Sequence, residues 1–347
     1  MRELIARVRD RWSDSDVRTD GGEAASTRSL LDRDSVRSAP FWLPAVLLVG
    51  LFVYGAVLWN FVLSLTDFTG IGEPDYSSLD LENYFVAFAD PVDGFLSMFG
   101  LGGEVQGGTP AWSSLTVDPV WNSLGNTIVL MVVFAAACLV LGLLLAILVD
   151  REIRFENTFR TIYLLPMSLS FVVTAKFWLY MYNPQTGLIN IALGVVGIGP
   201  IGIVQNPDLK LGAVAFALIW QFSGYAMIVY LAALRGIPSS HFEAARVDGA
   251  STIKMYWRVI IPQLRTATVS ALVVITVFAL KAFDFLFSMY GGYQPGPSAD
   301  ILATRMVREA YANQNWAYGS TIAVILFVMA LCIVGPYIYS QYKRGDL

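Results

Sequence analysis

The chain has 347 residues, 56% of them hydrophobic and only 14% charged, with a net charge of −4. This is too apolar for a soluble protein of that length; it fits an all-α polytopic membrane protein and indicates no nucleic-acid partner. A lone histidine, His241, and two cysteines inside apolar runs, Cys138 and Cys332, give no imidazole pair for catalysis and no metal site, and no phosphate-cradling Gly-x-x-x-x-Gly-Lys-Ser/Thr run occurs. Residues 1–40 read as a cytoplasmic tail, largely disordered over 13–39, where Ser, Asp, Arg and Gly leave little to bury. Before that stretch, Leu4, Ile5, Val8 and Trp12 share one helical face, which suits either a short interfacial helix or a solvated tail.

A membrane span needs about 20 apolar residues, and six such runs follow: Phe41 to Leu65, Leu124 to Val149, Thr161 to Tyr182, Leu211 to Leu234, Thr268 to Tyr290 and Trp316 to Tyr339. The first is too long for a signal-peptide core and has no convincing cleavage site, so it is retained as a span. Lys and Arg set the orientation. Arg residues crowd the tail, Arg151, Arg154 and Arg160 separate spans two and three, and five basic residues lie between Arg235 and Arg265, whereas the opposite loops hold only Lys210, Arg305 and Arg308. Both termini and the 235–267 loop are therefore expected in the cytoplasm of a cell-membrane protein. The outer loop 66–123 has no Lys or Arg but carries Asp67, Glu73, Asp75, Asp80, Glu82, Asp90, Asp93, Glu104 and Asp118, an acidic face suited to a salty medium.

The 235–267 loop is the most specific feature. Phe242, Ala245 and Val247 alternate with Glu243, Arg246 and Asp248 in a short amphipathic helix. Gly249 then allows a corner, and Ile253, Tyr256, Trp257 and Ile260 recur at helical spacing up to Pro262, which bends the entry into the fifth span. The run Glu243-Ala244-Ala245, Asp248-Gly249 and Val259-Ile260-Ile261-Pro262 resembles the EAA loop of binding-protein-dependent ABC importer permeases, with Val259 and Ile261 where Ile and Leu are usual. The likeness covers roughly Phe41 to Gln341. Asn122, Ser123, Asn126 and Thr127 open the second span, Leu165-Pro166 begin the third, and Tyr182 to Asn190 looks like the outer turn of permeases of the maltose and glycerol-phosphate type. Phe283-Asp284 with Gly291-Gly292 and Pro295-Gly296-Pro297 is similar to the end of their fifth span, interrupted here by Tyr293 and Gln294.

The resemblance implies a six-span type I permease domain over 41–347 that imports a sugar or oligosaccharide and is not itself an enzyme. Its implied partners are a second permease subunit in a heterodimer, two ABC ATPase subunits, an extracellular sugar-binding protein and membrane lipid. ATP and Mg are used by the ATPases, and this chain binds no cofactor. Glu243, Ala244, Ala245, Asp248, Gly249 and Pro262 form the ATPase-coupling loop. The alternative class is a secondary transporter of small polar solutes, which calls for ion-coupling acids within spans, where only Asp284 lies.

A pyranose has an apolar face and a hydroxyl rim, so a sugar pathway calls for aromatic platforms beside hydrogen-bonding groups. Trp220, Gln221 and Tyr225 in the fourth span, with Phe283 and Phe285 in the fifth, offer these. Lys176, Lys281 and Asp284 are charges inside spans, which face a cavity or a partner. Lys281 and Asp284 have the spacing of one helix face, so mutual neutralisation, or snorkelling to the outer surface, is the alternative to lining the pathway.

Overall fold

The computed structural model describes residues 33–98, 120–150 and 156–344. The expectations for the tail before Arg33, for Glu104 and Asp118, and for Arg151 and Arg154 lie outside them. The chain divides after Ala56 into two compact units. The first contains helix α1 (Arg33–Val49) and a π-helical stretch, Gly50–Gly55. Helix α2 (Ala56–Leu63) begins at the last residue of the first unit and otherwise belongs to the second, which also contains α3 (Glu82–Ala87), α4 (Pro91–Met98), α5 (Trp121–Val149), α6 (Glu156–Leu164), α7 (Phe171–Met181), α8 (Leu188–Val195), α9 (Pro207–Arg235), α10 (Ser239–Val247), α11 (Thr252–Met255), α12 (Arg265–Leu280), α13 (Phe283–Tyr290), α14 (Leu302–Val307) and α15 (Trp316–Arg344).

Ser38–Leu63, α5, α9 and Trp316–Lys343 are each long and apolar enough to cross a membrane as one helix. At 29 residues α5 and α9 reach about 43 Å, enough to clear the hydrocarbon and both interfaces. The third span differs from the straight run read from sequence, while the fifth is entered on a bend beside Pro262, as expected. Asn157–Ser168 meets Phe171–Met181 at 102°, and Thr252–Gln263 meets Arg265–Leu280 at 67°. The first bend has a local cause. Leu169 and Ser170 are extended, Ser170 Oγ caps α7 by accepting from Val173 N, and Pro166 interrupts the preceding turn. The fifth span breaks again at Lys281–Ala282, between α12 and α13.

Helix α9 is the central post: 67% of its most apolar window is buried, against 28% for α5 and 17% for α15. Its principal partner is α5. Without water to drive helices together in lipid, such contacts depend on close approach of small residues. Gly224 illustrates this, since a Cβ there would fall on the Tyr163 carbonyl oxygen of α6. The core joins Phe134 and Cys138 of α5, Trp178 and Tyr182 beside α7, Leu218, Phe222 and Leu231 of α9, Ile275 of α12, and Phe285 and Leu286 of α13. Phe171, the first residue past the 102° bend, sits 5.8 Å from Phe222, 6.3 Å from Phe278 and 6.3 Å from Phe285, ring centre to ring centre. The break is therefore packed where three spans meet.

The two ends of the bundle are chemically distinct. Asn122 and Lys210, near the starts of α5 and α9, both reach the segment after α13, through Asn122 Nδ2 to Pro297 O and Lys210 Nζ to Pro295 O, each 2.8 Å. Asp150 and Arg235, at the other ends, form an ion pair of 3.6 Å beside the α9–α10 connection. The 235–267 loop and the 291–301 segment thus lie at opposite ends of the second unit.

Candidate functional site

The 235–267 loop is two short helices joined at a corner. Pro238 precedes α10, and the helix ends in paired reverse bonds: Ala250 N donates to Ala245 O and Gly249 N to Arg246 O, each 3.0 Å. This is a Schellman ending, which needs a left-handed residue just past the helix. Gly249 supplies it at φ +71°, with no atom within 4 Å of where a Cβ would lie. Glycine is required there by backbone angle and not by space.

Beyond the corner, α11 continues through a π-helical turn, Tyr256–Ile260, and a turn at Ile261–Gln263 containing Pro262, as far as the 67° bend. His241 Nδ1 lies 3.0 Å from Gln263 Oε1, while Gln263 Nε2 donates to Val259 O at 2.8 Å, tying the first loop helix to the end of the second. Ala245, Met255, Ile260 and Leu264 are buried, and Phe242 meets Tyr256 edge to face.

The opposite side is open. Glu243, Ala244 and Asp248 are exposed, and so are three large apolar residues, Val247 at 87%, Ile253 at 83% and Trp257 at 73%. The residues that recur at helical spacing divide here, Ile260 buried in the core and Ile253 and Trp257 exposed. Apolar side chains exposed on an otherwise polar loop mark a surface of contact with a protein or a membrane.

The six proposed pathway residues do not converge on one site. Trp220 lies in an aromatic group with Phe177 and Trp178, stacked on Phe177 at 5.6 Å. Gln221, only 1% exposed, donates from Nε2 to Leu169 O at 2.8 Å, satisfying the carbonyl that the third-span break frees. Its Oε1 is buried without a partner, as are Thr174 Oγ1 and Trp178 Nε1 across the α7–α9 seam. Tyr225 is half-buried against the core. Lys281 and Asp284 are exposed and unpaired; the break at Ala282 removes the shared helix face on which their neutralisation depended. Phe283 groups with Phe287 and Tyr293. Phe285 is fully buried core.

A polar cluster built on Asp300, at the end of the second unit opposite the 235–267 loop, was not anticipated. This carboxylate, 5% exposed, takes both ends of the Arg308 guanidinium, Nη1 to Oδ1 at 2.9 Å and Nη2 to Oδ2 at 2.6 Å, with Ser123 Oγ at 3.0 Å and Thr304 Oγ1 at 2.8 Å. Asn126 Nδ2 donates to Pro297 O and Asp300 O, and Thr127 Oγ1 accepts from Leu302 N. All four polar residues of the 122–127 run therefore hold the segment that follows the fifth span. Among the outer acids, Asp67, Asp80 and Glu82 come together. Partial burial, then the charges of Asp80 and Glu82, raise the Asp67 carboxyl above its ordinary pKa.

A rigid helical corner at one end of apolar spans, on a chain with no nucleotide-binding run, is the architecture of an ABC importer permease. The family described as "binding-protein-dependent transport system inner membrane component" matches residues 138–344, more than half of the chain, and the chain belongs to it. It is 49% identical over 326 residues to the xylose/arabinose import permease protein XacH of Haloferax volcanii, covering 94% of each chain. A probable ABC transporter permease of Pyrococcus horikoshii is 43% identical over 88% of this chain and 96% of its own. In fold, the chain is similar to a subunit of a bacterial ABC transporter involved in importing the acidic polysaccharide alginate: TM-score 0.65, 21% identity, covering 90% of this chain and 98% of that one.

Proposed function

We propose that this chain is one of two permease subunits of an ATP-driven sugar importer, moved through the 235–267 loop by a pair of cytoplasmic ATPases that bind the ATP and Mg. The observation that carries this is the loop: a nine-residue helix, capped by Gly249, with Glu243, Ala244, Val247 and Trp257 facing away from the bundle. Small residues permit close approach, apolar ones supply burial, and Glu243 supplies a charged contact. Such a helix transmits rigid-body motion when the ATPase pair closes. The substrate class rests on the pentose-import relative named above, with which this chain shares nearly half its residues. An extracellular binding protein delivers the sugar, and both termini lie in the cytoplasm.

The test is reconstitution in liposomes. The chain alone should neither hydrolyse ATP nor move sugar. With the second permease, ATPases and binding protein present, ATP-driven uptake of D-xylose or L-arabinose should appear; uptake by the chain alone would favour a secondary carrier. Orientation has its own check. Single cysteines at Ser240 and Asp75, in a chain without Cys138 and Cys332, should react from the cytoplasmic and outer sides respectively, and reaction of both from outside would contradict the topology.

A further inference from the structure

Beside α13, at the end of the bundle away from the coupling loop, is an open cleft of about 530 Å³, within the range of small-molecule sites. One wall is a stripe of α13: Phe283, Asp284, Phe287 and Ser288. Tyr293 lines it from the following loop and Tyr311 from the π-helical stretch Arg308–Ala312. The rings form a compact group: Phe287 is 5.0 Å from Tyr293 and 5.5 Å from Phe283, while Phe283 and Tyr293 lie nearly parallel, 16° apart in plane. Tyr293 is fixed in place, because its carbonyl accepts from Arg308 Nη1 at 3.2 Å and Arg308 is itself clamped on Asp300.

Asp284 is the unusual member. It lies in an apolar run that the membrane would surround, and neither Lys281 nor Lys176 forms an ion pair with it. Carboxylates in such positions are costly and are retained for a pathway or a partner. The cleft lining contains this one acid and no cation.

We propose that this cleft is a saccharide-binding station on the outer approach to the pathway, specific for neutral pyranoses. The apolar face of the sugar lies on the Phe287 and Tyr293 rings, and adjacent hydroxyls donate to the Asp284 carboxylate, which has lone pairs for two. Ser288 and Tyr311 supply hydroxyls that both donate and accept. A second carboxylate brought beside Asp284 is repelled, so the station excludes uronic acids. This inference rests on the sugar-importer reading and adds to it a place and a selectivity.

The test uses the complete transporter with its binding protein, a photoreactive xyloside as probe, and D-xylose or D-glucuronate as competitor. These two differ chiefly by the carboxylate on the same ring. Wild type should be labelled within 283–293 or 307–311, with D-xylose competing at least tenfold better than D-glucuronate. Asp284→Asn should cut labelling about tenfold and bring the two competitors within a factor of about three of each other; Tyr293→Ala should cut labelling without changing their ratio. Labelling confined to other segments, or equal competition in wild type, would overturn the station. So would a Tyr311→Cys variant that cross-links to the second permease without sugar, since a protein helix would then fill the cleft. A wild-type complex that imports no sugar at all removes the functional reading and the station with it. Normal import with labelling unchanged in both variants removes only the station.

Discussion

Gly249→Val is expected to leave the permease inserted and folded while lowering ATP-driven uptake by tenfold or more. At φ +71° a β-branched residue is held in a backbone region that L side chains avoid, at a cost of order 1–3 kcal/mol. No neighbour lies within 4 Å of the new Cβ, so the cost cannot be relieved by moving a side chain. It is relieved only by opening the corner, which separates Ala250 N from Ala245 O. A shift of about 2 kcal/mol lowers the ratio of closed, docking-competent loop to opened loop roughly thirtyfold. Gly249 itself lies in the loop and outside every span, so yield and thermal stability of the isolated chain should stay close to wild type. The measurement is uptake and ATP hydrolysis in the same liposomes, alongside Gly249→Asn, which tolerates left-handed angles better and should retain more activity. Normal uptake by Gly249→Val would count against a rigid corner.

Asp300→Ala should have the largest effect on stability, about 3–5 kcal/mol, because it leaves the Arg308 guanidinium without its buried counter-charge and also removes the partner of Ser123 and Thr304. Replacing both members, Asp300→Leu with Arg308→Met, should restore much of that loss, since the desolvation of two charges disappears with them. Thermal unfolding in detergent of Asp300→Leu, Arg308→Met and the double variant forms the cycle that isolates the pair. Equal losses in Asp300→Leu and the double variant would mean that Arg308 is not the reason Asp300 matters.

These two residues also mark what the sequence could reveal. Gly249 was legible because a corner between short helices leaves a local signature of small and turn-forming residues at fixed spacing. Asp300 was not, because Arg308 lies eight residues away across a helix start and Ser123 comes from another span; no local period links them. Breaks inside spans are hidden for another reason. Where nearly every residue is apolar, periodicity carries little information, so 161–182 read as one rod although Pro166 and the capping Ser170 were in view. Gln221 looked like a sugar contact, yet its hydrogen-bond partner is a backbone carbonyl freed by that unseen break. The spacing of Lys281 and Asp284 implied a pair only while the helix was assumed continuous. The helical spacing of Ile253, Tyr256, Trp257 and Ile260 was legible, but not which of them face outward: Ile253 and Trp257 are exposed and Ile260 is buried.

The claim that the loop's outer face is where an ATPase seats is tested most directly by co-purification from membranes holding the complete transporter. Wild type, Glu243→Ala, Trp257→Ala and a distant exposed control, Glu73→Gln, would be compared at equal permease yield. The account predicts that wild type and the control retain the ATPase pair in full, that Trp257→Ala loses most of it, and that Glu243→Ala falls between. Full retention of the ATPase by both loop variants, with uptake equal to the control, would contradict it.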